Sequence, residues 1–213
     1  MKLKLGLIGN AIAKSKAPAL HIFLGKLHGI DITYELFDLK TTKSSQFEDQ
    51  FNRLADSKYD GCNITYPFKQ LAMHSVQNCE ASSQLVGATN TIKFSAETYA
   101  INTDYSGFVR AITSKLDKNE IGSALILGAG GVGRAVAFGL ASFSAGTCHI
   151  FDPSADKALE LVEALRARGF DAEVVLQPQL ESVSQMVEGI LNCSPIGHYQ
   201  SPGSPINPNY IGG

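Results

Sequence analysis

SALILGAGGVGRAVAFGLASFSAG, residues 123–146, decides the fold. Its opening apolar run, Ala124–Leu127, reads as a strand, and the Ala-rich stretch that follows reads as a helix. Between them Gly128, Ala129, Gly130, Gly131, Val132 and Gly133 match the pattern GxGxxG. In that setting Gly128 permits a tight turn, Gly130 lets the backbone approach a pyrophosphate, and Gly133 lets helix and strand pack closely. The N–H groups at the helix start then face the phosphates. A lone glycine pattern is weak, but this one sits between strand and helix, which is the context a dinucleotide requires.

Working outward, CHIFDPS (148–154) is a second strand, and Asp152 stands at its end, 24 residues after Gly128. A carboxylate there accepts hydrogen bonds from the adenosine ribose hydroxyls and repels a 2′-phosphate. Pro153, Ser154 and Ala155 follow, with no arginine to hold such a phosphate, so NAD is expected rather than NADP. Asp152 also suits a helix N-cap, and Ser154 could take that role instead. A helix over DKALELVEALRARG (156–169), a strand AEVVL (172–176), another helix and a strand in GILNCSP (189–195) complete a doubly wound layout.

Upstream, the same alternation predicts an α/β protein with a mostly parallel sheet. KLGLIG (4–9) is a strand, and a helix opens at Pro18, which suits a first helical turn. TYELFDL (33–39) is a second strand. SSQFEDQFNRLAD (44–56) is a helix with Phe47, Phe51 and Leu54 on one face. GCNITY (61–66) is a third strand, ended by Pro67, where another helix is expected to begin. TNTIKF (89–94) and TYAINTD (98–104) read as a strand pair turning near Ala96 and Glu97. SKLDKNEIG (114–122) reads as the tail of a connecting helix. The expected organisation is a substrate-binding domain over 1–104, a connecting helix or linker over 105–121, and a Rossmann-type dinucleotide domain over 122–213.

Composition removes several classes of function. Hydrophobic residues make up 44%, too rich for a disordered chain. A net charge of −2 offers no basic face for nucleic acid or an anionic membrane. No apolar run is long enough to span a bilayer. The start, MKLKLGLIGN, runs into Gly9 without a small-residue cleavage site and reads as a strand, not a signal peptide. Cys62, Cys79, Cys148 and Cys193 are scattered without a CxxC pair, which argues against zinc and for a reduced cytoplasmic protein. No metal, nucleic acid or membrane partner is expected, and the protein is expected to be a monomer or homodimer.

Polar residues cluster where strands of the first half end: Ser15 and Lys16, then Asn63, Thr65 and Lys69, then Asn90, then Asn102, Thr103 and Asp104. Ligands of open α/β sheets bind at strand carboxyl ends, so these groups are candidates for one cleft. Each also has a plain reading: Lys69 as a solvated lysine, Asn90 as a turn residue, Asp104 as a helix N-cap. Periodicity does not choose between them.

The segments carrying these residues are GNAIAKSKAPALH (9–21), NITYPFKQ (63–70), GATNTI (87–92), NTDYSGF (102–108), GAGGVGRA (128–135) and NCSPIG (192–197), ahead of PGSP (202–205). In this order the series resembles the shikimate dehydrogenase family over nearly the whole chain. With Asp152 and the KQ ending of NITYPFKQ, it looks like the NAD-linked quinate/shikimate branch. The resemblance implies reversible oxidation of a ring hydroxyl of shikimate or quinate to the 3-dehydro ketone, with 3-dehydroshikimate as the ketone in the first case. It implies that Lys69 and Asp104 are the catalytic pair, and that Ser15, Thr65 and Asn90 bind substrate beside them.

Two departures stand out. The family carries a Ser or Thr two positions after the first serine, and here that position is Ala17. Loss of one hydroxyl weakens carboxylate recognition by roughly 1 kcal/mol, and Lys14 or Lys16 could offset it. The family also continues beyond PGSP with a further strand and helices that include a substrate-binding glutamine, so a C-terminal part is expected to be missing. These departures define an alternative from another class, a catalytically weak shikimate-like ligand- or NAD-binding protein. A methylene-tetrahydrofolate dehydrogenase layout is a third, opposed by NTDYSGF and SKAPALH.

Overall fold

The structure is a computed structural model that describes residues 1–116, 121–143 and 146–211. The chain divides into two compact units, Met1–Thr103 and Asp104–Gly213.

In the first unit β1 (Lys2–Gly9) and β2 (Asp31–Asp38) pair in parallel along their full length, from Lys2 opposite Asp31 to Gly9 opposite Asp38. Parallel neighbours need a crossover, and α1 (Ala17–Leu27) supplies it, with Pro18 in the first turn, where an N–H has no helical partner to lose. After α2 (Ser44–Asp56), β3 (Gly61–Ile64) pairs with the other edge of β1, again in parallel. Successive side chains of a strand point to opposite faces. Ile8 therefore joins Phe47, Phe51 and Leu54 of α2, together with Ile64, Phe68 and Ile92, while Leu7 joins Ile12 and Tyr34 in a separate cluster bordered by Ala17. The aromatic face expected of α2 is buried as its spacing predicts, and Phe47 stacks on Phe68 at 5.1 Å.

The helix expected at Pro67 is absent. A turn follows β3, and then a single 3₁₀ stretch, Leu71–Ser75. Beyond it lie β4 (Asn78–Cys79) and α3 (Ala81–Val86), neither anticipated, and then the anticipated antiparallel pair β5 (Thr91–Lys93) and β6 (Tyr99–Ile101). The sheet order is β2-β1-β3-β5-β6-β4, so the first half is a mixed sheet.

α4 (Thr103–Thr113) crosses the division between the units. It ends earlier than expected, because Ser114–Leu116 form a turn and bend, and residues 117–120 of the expected linker lie outside the described residues. The second unit continues with β7 (Ala124–Leu127), α5 (Gly131–Ala141), β8 (Cys148–Phe151), α6 (Ala155–Arg166), β9 (Ala172–Val174), α7 (Leu180–Met186) and β10 (Gly189–Asn192). All four strands are parallel, in the order β10-β7-β8-β9. β7 and β8 are buried at every residue, as parallel strands covered on both faces must be. α5 is buried from Gly133 to Ala141. A Cβ on Gly139 would sit 2.6 Å from the Phe108 ring, so the small residue lets α4 pack against α5. α6 shows the ordinary one-sided pattern, burying Ala158, Leu161, Val162 and Leu165.

Candidate functional site

The second unit carries a glycine cradle. Gly128 leaves β7 with φ +110, a conformation L side chains rarely adopt, and its N–H donates to Phe151 O at 2.7 Å. A Cβ on Gly133 would lie 1.8 Å from Gly128 O, so only glycine lets α5 begin this close to the strand it follows. Gly130 is different: a Cβ there would meet nothing within 4 Å. The backbone is open on that side, as a site for an approaching phosphate must be. α5 starts at Gly131 without a side-chain cap. Its first-turn N–H groups therefore have no intrahelical acceptor, and the positive end of the helix dipole faces outward beside them.

Asp152 closes the other side. Its Oδ2 accepts the Ala129 N–H at 2.9 Å and its Oδ1 accepts the Ser154 N–H at 2.9 Å. Ser154 occupies the N-cap position of α6 but makes no side-chain cap bond. The carboxylate thus ties the tip of the glycine loop to the start of the next helix. Each oxygen keeps a second lone pair for an outside donor. Gly128, Ala129, Gly130, Gly131, Val132, Gly133 and Asp152 all fall at the carboxyl ends of β7 and β8, and together they could seat a dinucleotide.

One wall of this seat was not singled out from sequence. β10 runs beside β7, with Asn192 level with Leu127, and the Cys193 N–H donates to Leu127 O at 2.8 Å. A Cβ on Gly128 would come within 3.0 Å of Cys193 C and O and of Ser194 N. The Cys193 thiol, pushed up to about 12 by burial, is neutral and serves as packing. NCSPIG was visible as a motif; that its backbone touches the glycine loop depends on a pairing across more than sixty residues of chain.

In the first unit the candidate polar residues share one end of the sheet. β1 ends at Gly9 and β3 at Ile64, in register, and the two following segments are joined by Asn10 N–H to Tyr66 O at 2.9 Å. Thr65, half-buried, donates its N–H to Ile8 O. Lys69, half-buried, lies in the turn after β3, where its carbonyl accepts the Thr89 N–H at 2.9 Å. Ser15 Oγ accepts the Ala17 N–H at 3.2 Å, in the turn that leads into α1. Asn90 enters β5 beside the end of β3, since its carbonyl accepts the Ile64 N–H at 2.8 Å. Its side chain engages Thr103: Oδ1 accepts the Thr103 N–H at 2.9 Å, and Nδ2 donates to Thr103 Oγ1 at 2.8 Å. Asp104 follows in the first turn of α4, half-buried, and belongs to the second compact unit.

Two supports of this end were missed from sequence. Asp38, at the end of β2, accepts the N–H groups of Ala11 at 3.0 Å and Ile12 at 3.2 Å, which fixes the loop leading to Ser15. Tyr34 donates its hydroxyl to Asn63 Oδ1 at 2.7 Å. The Asn63 amide in turn donates to Asn90 O at 3.3 Å and Thr91 Oγ1 at 3.0 Å. His21 stacks on Tyr34 at 4.7 Å, and burial holds its pKa below the usual value while raising that of the tyrosine. Asn63 is thus occupied in tying β3 to β5 and to Asn90.

Comparison with known proteins gives this arrangement a relationship. The sequence profile of the shikimate dehydrogenase substrate binding domain matches residues 7–92. The shikimate dehydrogenase (NADP(+)) of Methanopyrus kandleri is 31% identical over 210 residues, covering 94% of this chain and 70% of that protein. The quinate/shikimate dehydrogenase (NAD(+)) of Corynebacterium glutamicum is 30% identical over 208 residues, covering 94% and 73%. Among solved structures, quinate dehydrogenase from Corynebacterium glutamicum in complex with NAD superposes with a TM-score of 0.84 at 26% identity, covering 99% of this chain and 77% of that one. These relatives are longer than the present chain. On sequence and fold together, the chain belongs to the shikimate dehydrogenase family.

Proposed function

We propose that this protein catalyses the NAD-dependent, reversible oxidation of shikimate, quinate or both to the 3-dehydro ketone. The observation that carries the cofactor half is the Asp152 carboxylate at the end of β8, bound to the loop it stands beside. Its negative charge favours ribose hydroxyls and opposes a 2′-phosphate. The relatives include enzymes named for NAD and for NADP, so the preference rests on this residue. A bound nicotinamide would supply the hydride acceptor and donor for the carbinol carbon. Asp152 would hold the adenosine ribose and the glycine loop the pyrophosphate, and residues 193–197, which follow β10, border that loop.

The first unit supplies the substrate side. Ser15, Thr65 and Asn90 offer hydroxyl and amide groups to the ring hydroxyls and carboxylate. In the reductive direction the Lys69 ammonium gives a proton to the ketone oxygen, and in the oxidative direction the amine takes it back. Asp104 holds the ammonium and accepts a hydrogen bond from the same hydroxyl. The matching positions in the family and the sheet end shared by Thr65, Lys69 and Asn90 support this assignment. Lys69→Ala is expected to lower turnover about 10²–10⁴-fold while NAD affinity changes far less. Equal losses in the two would remove Lys69 from the chemistry.

One observation favours the weaker-enzyme reading. At the second hydroxyl position stands Ala17, whose N–H already occupies Ser15 Oγ. Shikimate binding without turnover under any cofactor would make that reading the correct one.

A further inference from the structure

We propose that Asn192 is a positioning residue that fixes the loop 193–197 as the wall of the nicotinamide slot, an inference that rests on the dinucleotide reading above. β10 and β7 leave the sheet side by side, Asn192 level with Leu127. β7 then turns through the glycine loop toward β8, while β10 runs into residues 193–197. Neighbouring parallel strands whose connections diverge in this way leave a crevice at their carboxyl ends.

Beside the glycine loop the two backbones pack closely. Cys193 C and O and Ser194 N lie 3.0 Å from where a Gly128 Cβ would be, and Cys193 Cβ lies 3.6 Å from the corresponding point on Gly133. A displacement of the loop by a fraction of an ångström is therefore felt at Gly128. Little core packing holds the loop: Asn192, Pro195 and Gly197 are exposed, and Ser194 and Ile196 are only half-buried. One side chain bridges it. Asn192 Oδ1 accepts both the Ser194 N–H at 3.0 Å and the Ser194 hydroxyl at 2.7 Å, while Nδ2 donates to Ile196 O at 2.9 Å. Ser194 Oγ accepts the Ile196 N–H at 3.2 Å, and Gly197, with φ +99, turns the chain away. The amide accepts from residue 194 with its oxygen and donates to residue 196 with its nitrogen at once.

The test separates the nicotinamide end from the rest of the cofactor. ADP-ribose carries the adenosine and pyrophosphate but no nicotinamide, whereas NADH emission reports on the surroundings of the reduced ring. The chain has no tryptophan to interfere with that signal. In the wild type, NADH emission is expected to rise on binding. In Asn192→Ala that rise is expected to be lost and NADH affinity to fall several-fold, with ADP-ribose affinity kept within about twofold. Asn192→Asp keeps the acceptor to Ser194, loses the donor to Ile196, and should recover part of the emission. A parallel loss of ADP-ribose affinity in Asn192→Ala and Asn192→Asp would reduce Asn192 to a general structural role and overturn the proposal. Unchanged NADH emission in Asn192→Ala would overturn it too. Wild-type protein that binds ADP-ribose without any NADH emission change would sink the slot and leave the dinucleotide seat standing. Wild-type protein that binds neither would remove both.

Discussion

At the scale of single residues, Asp152 carries the most discriminating prediction. Replacing it with Ser removes the charge proposed to oppose a 2′-phosphate and the carboxylate that accepts the Ala129 and Ser154 N–H groups. Asp152→Ser is expected to lower the ratio of kcat/KM with NAD to that with NADP at least about tenfold, equivalent to about 1.4 kcal/mol. Thermal stability should fall as well, because two N–H groups lose their partner. An unchanged cofactor ratio would leave Asp152 as a loop brace alone. Gly133→Ala tests the cradle itself: its Cβ would overlap Gly128 O, so ADP-ribose binding is expected to be lost. The GxGxxG residues and Asp152 were legible because short-range spacing defines them. The approach of Cys193 to Gly128 was not, and neither was the Asp38 brace on Ala11 and Ile12. Both join segments that only the sheet brings side by side.

Among the elements, those with a long period were the readable ones. α2 was predicted with its bounds, 44–56, since three large apolar residues repeat on one face. Phe47→Ala should cost about 3–5 kcal/mol of unfolding free energy, measurable by urea denaturation, because Phe47 is fully buried against Phe68. Two short segments, β4 and α3, were not readable. β4 has two residues and α3 six, too few for periodicity to register. The region after Pro67 misled because a proline suits the first turn of a helix; Phe68 and Ala72 are also spaced like a helical pair. They even share one helical bond, Ala72 N–H to Phe68 O at 2.8 Å, but the chain continues as a 3₁₀ turn. The connection from β2 through β3 to β5 is a matter of elements too. Tyr34→Phe leaves Asn63 Oδ1 without its donor, at a cost of about 1–3 kcal/mol. If that bond helps hold Asn90, KM for shikimate rises in Tyr34→Phe while KM for NAD stays level. Matching increases in both would assign the bond to stability only.

Over the whole molecule, two halves with different sheets answer to different parts of the sequence. The parallel sheet of the second was legible from alternating strands and helices. The first is mixed, because β5 and β6 form a hairpin beside β3, and its polar residues acquired meaning through family resemblance, not through spacing. Burial also gives the molecule a pH signature. Cys148 is pushed up to about 11 and Cys193 to about 12, against about 8.5 in an unfolded chain. The folded state keeps protons that the unfolded state releases, so this contribution is complete below about pH 8.5 and lost as pH rises through 11 and 12. Urea midpoints should be level from about pH 7 to 8 and decline from about pH 9 upward. A flat profile to about pH 11 would contradict the burial of these thiols. Catalysis itself is decided by steady-state oxidation of shikimate and of quinate, each with NAD and with NADP and followed by nicotinamide absorbance. Turnover with NAD on at least one of the two substrates and little with NADP is expected; no turnover with any of the four pairs would rule out the proposed activity.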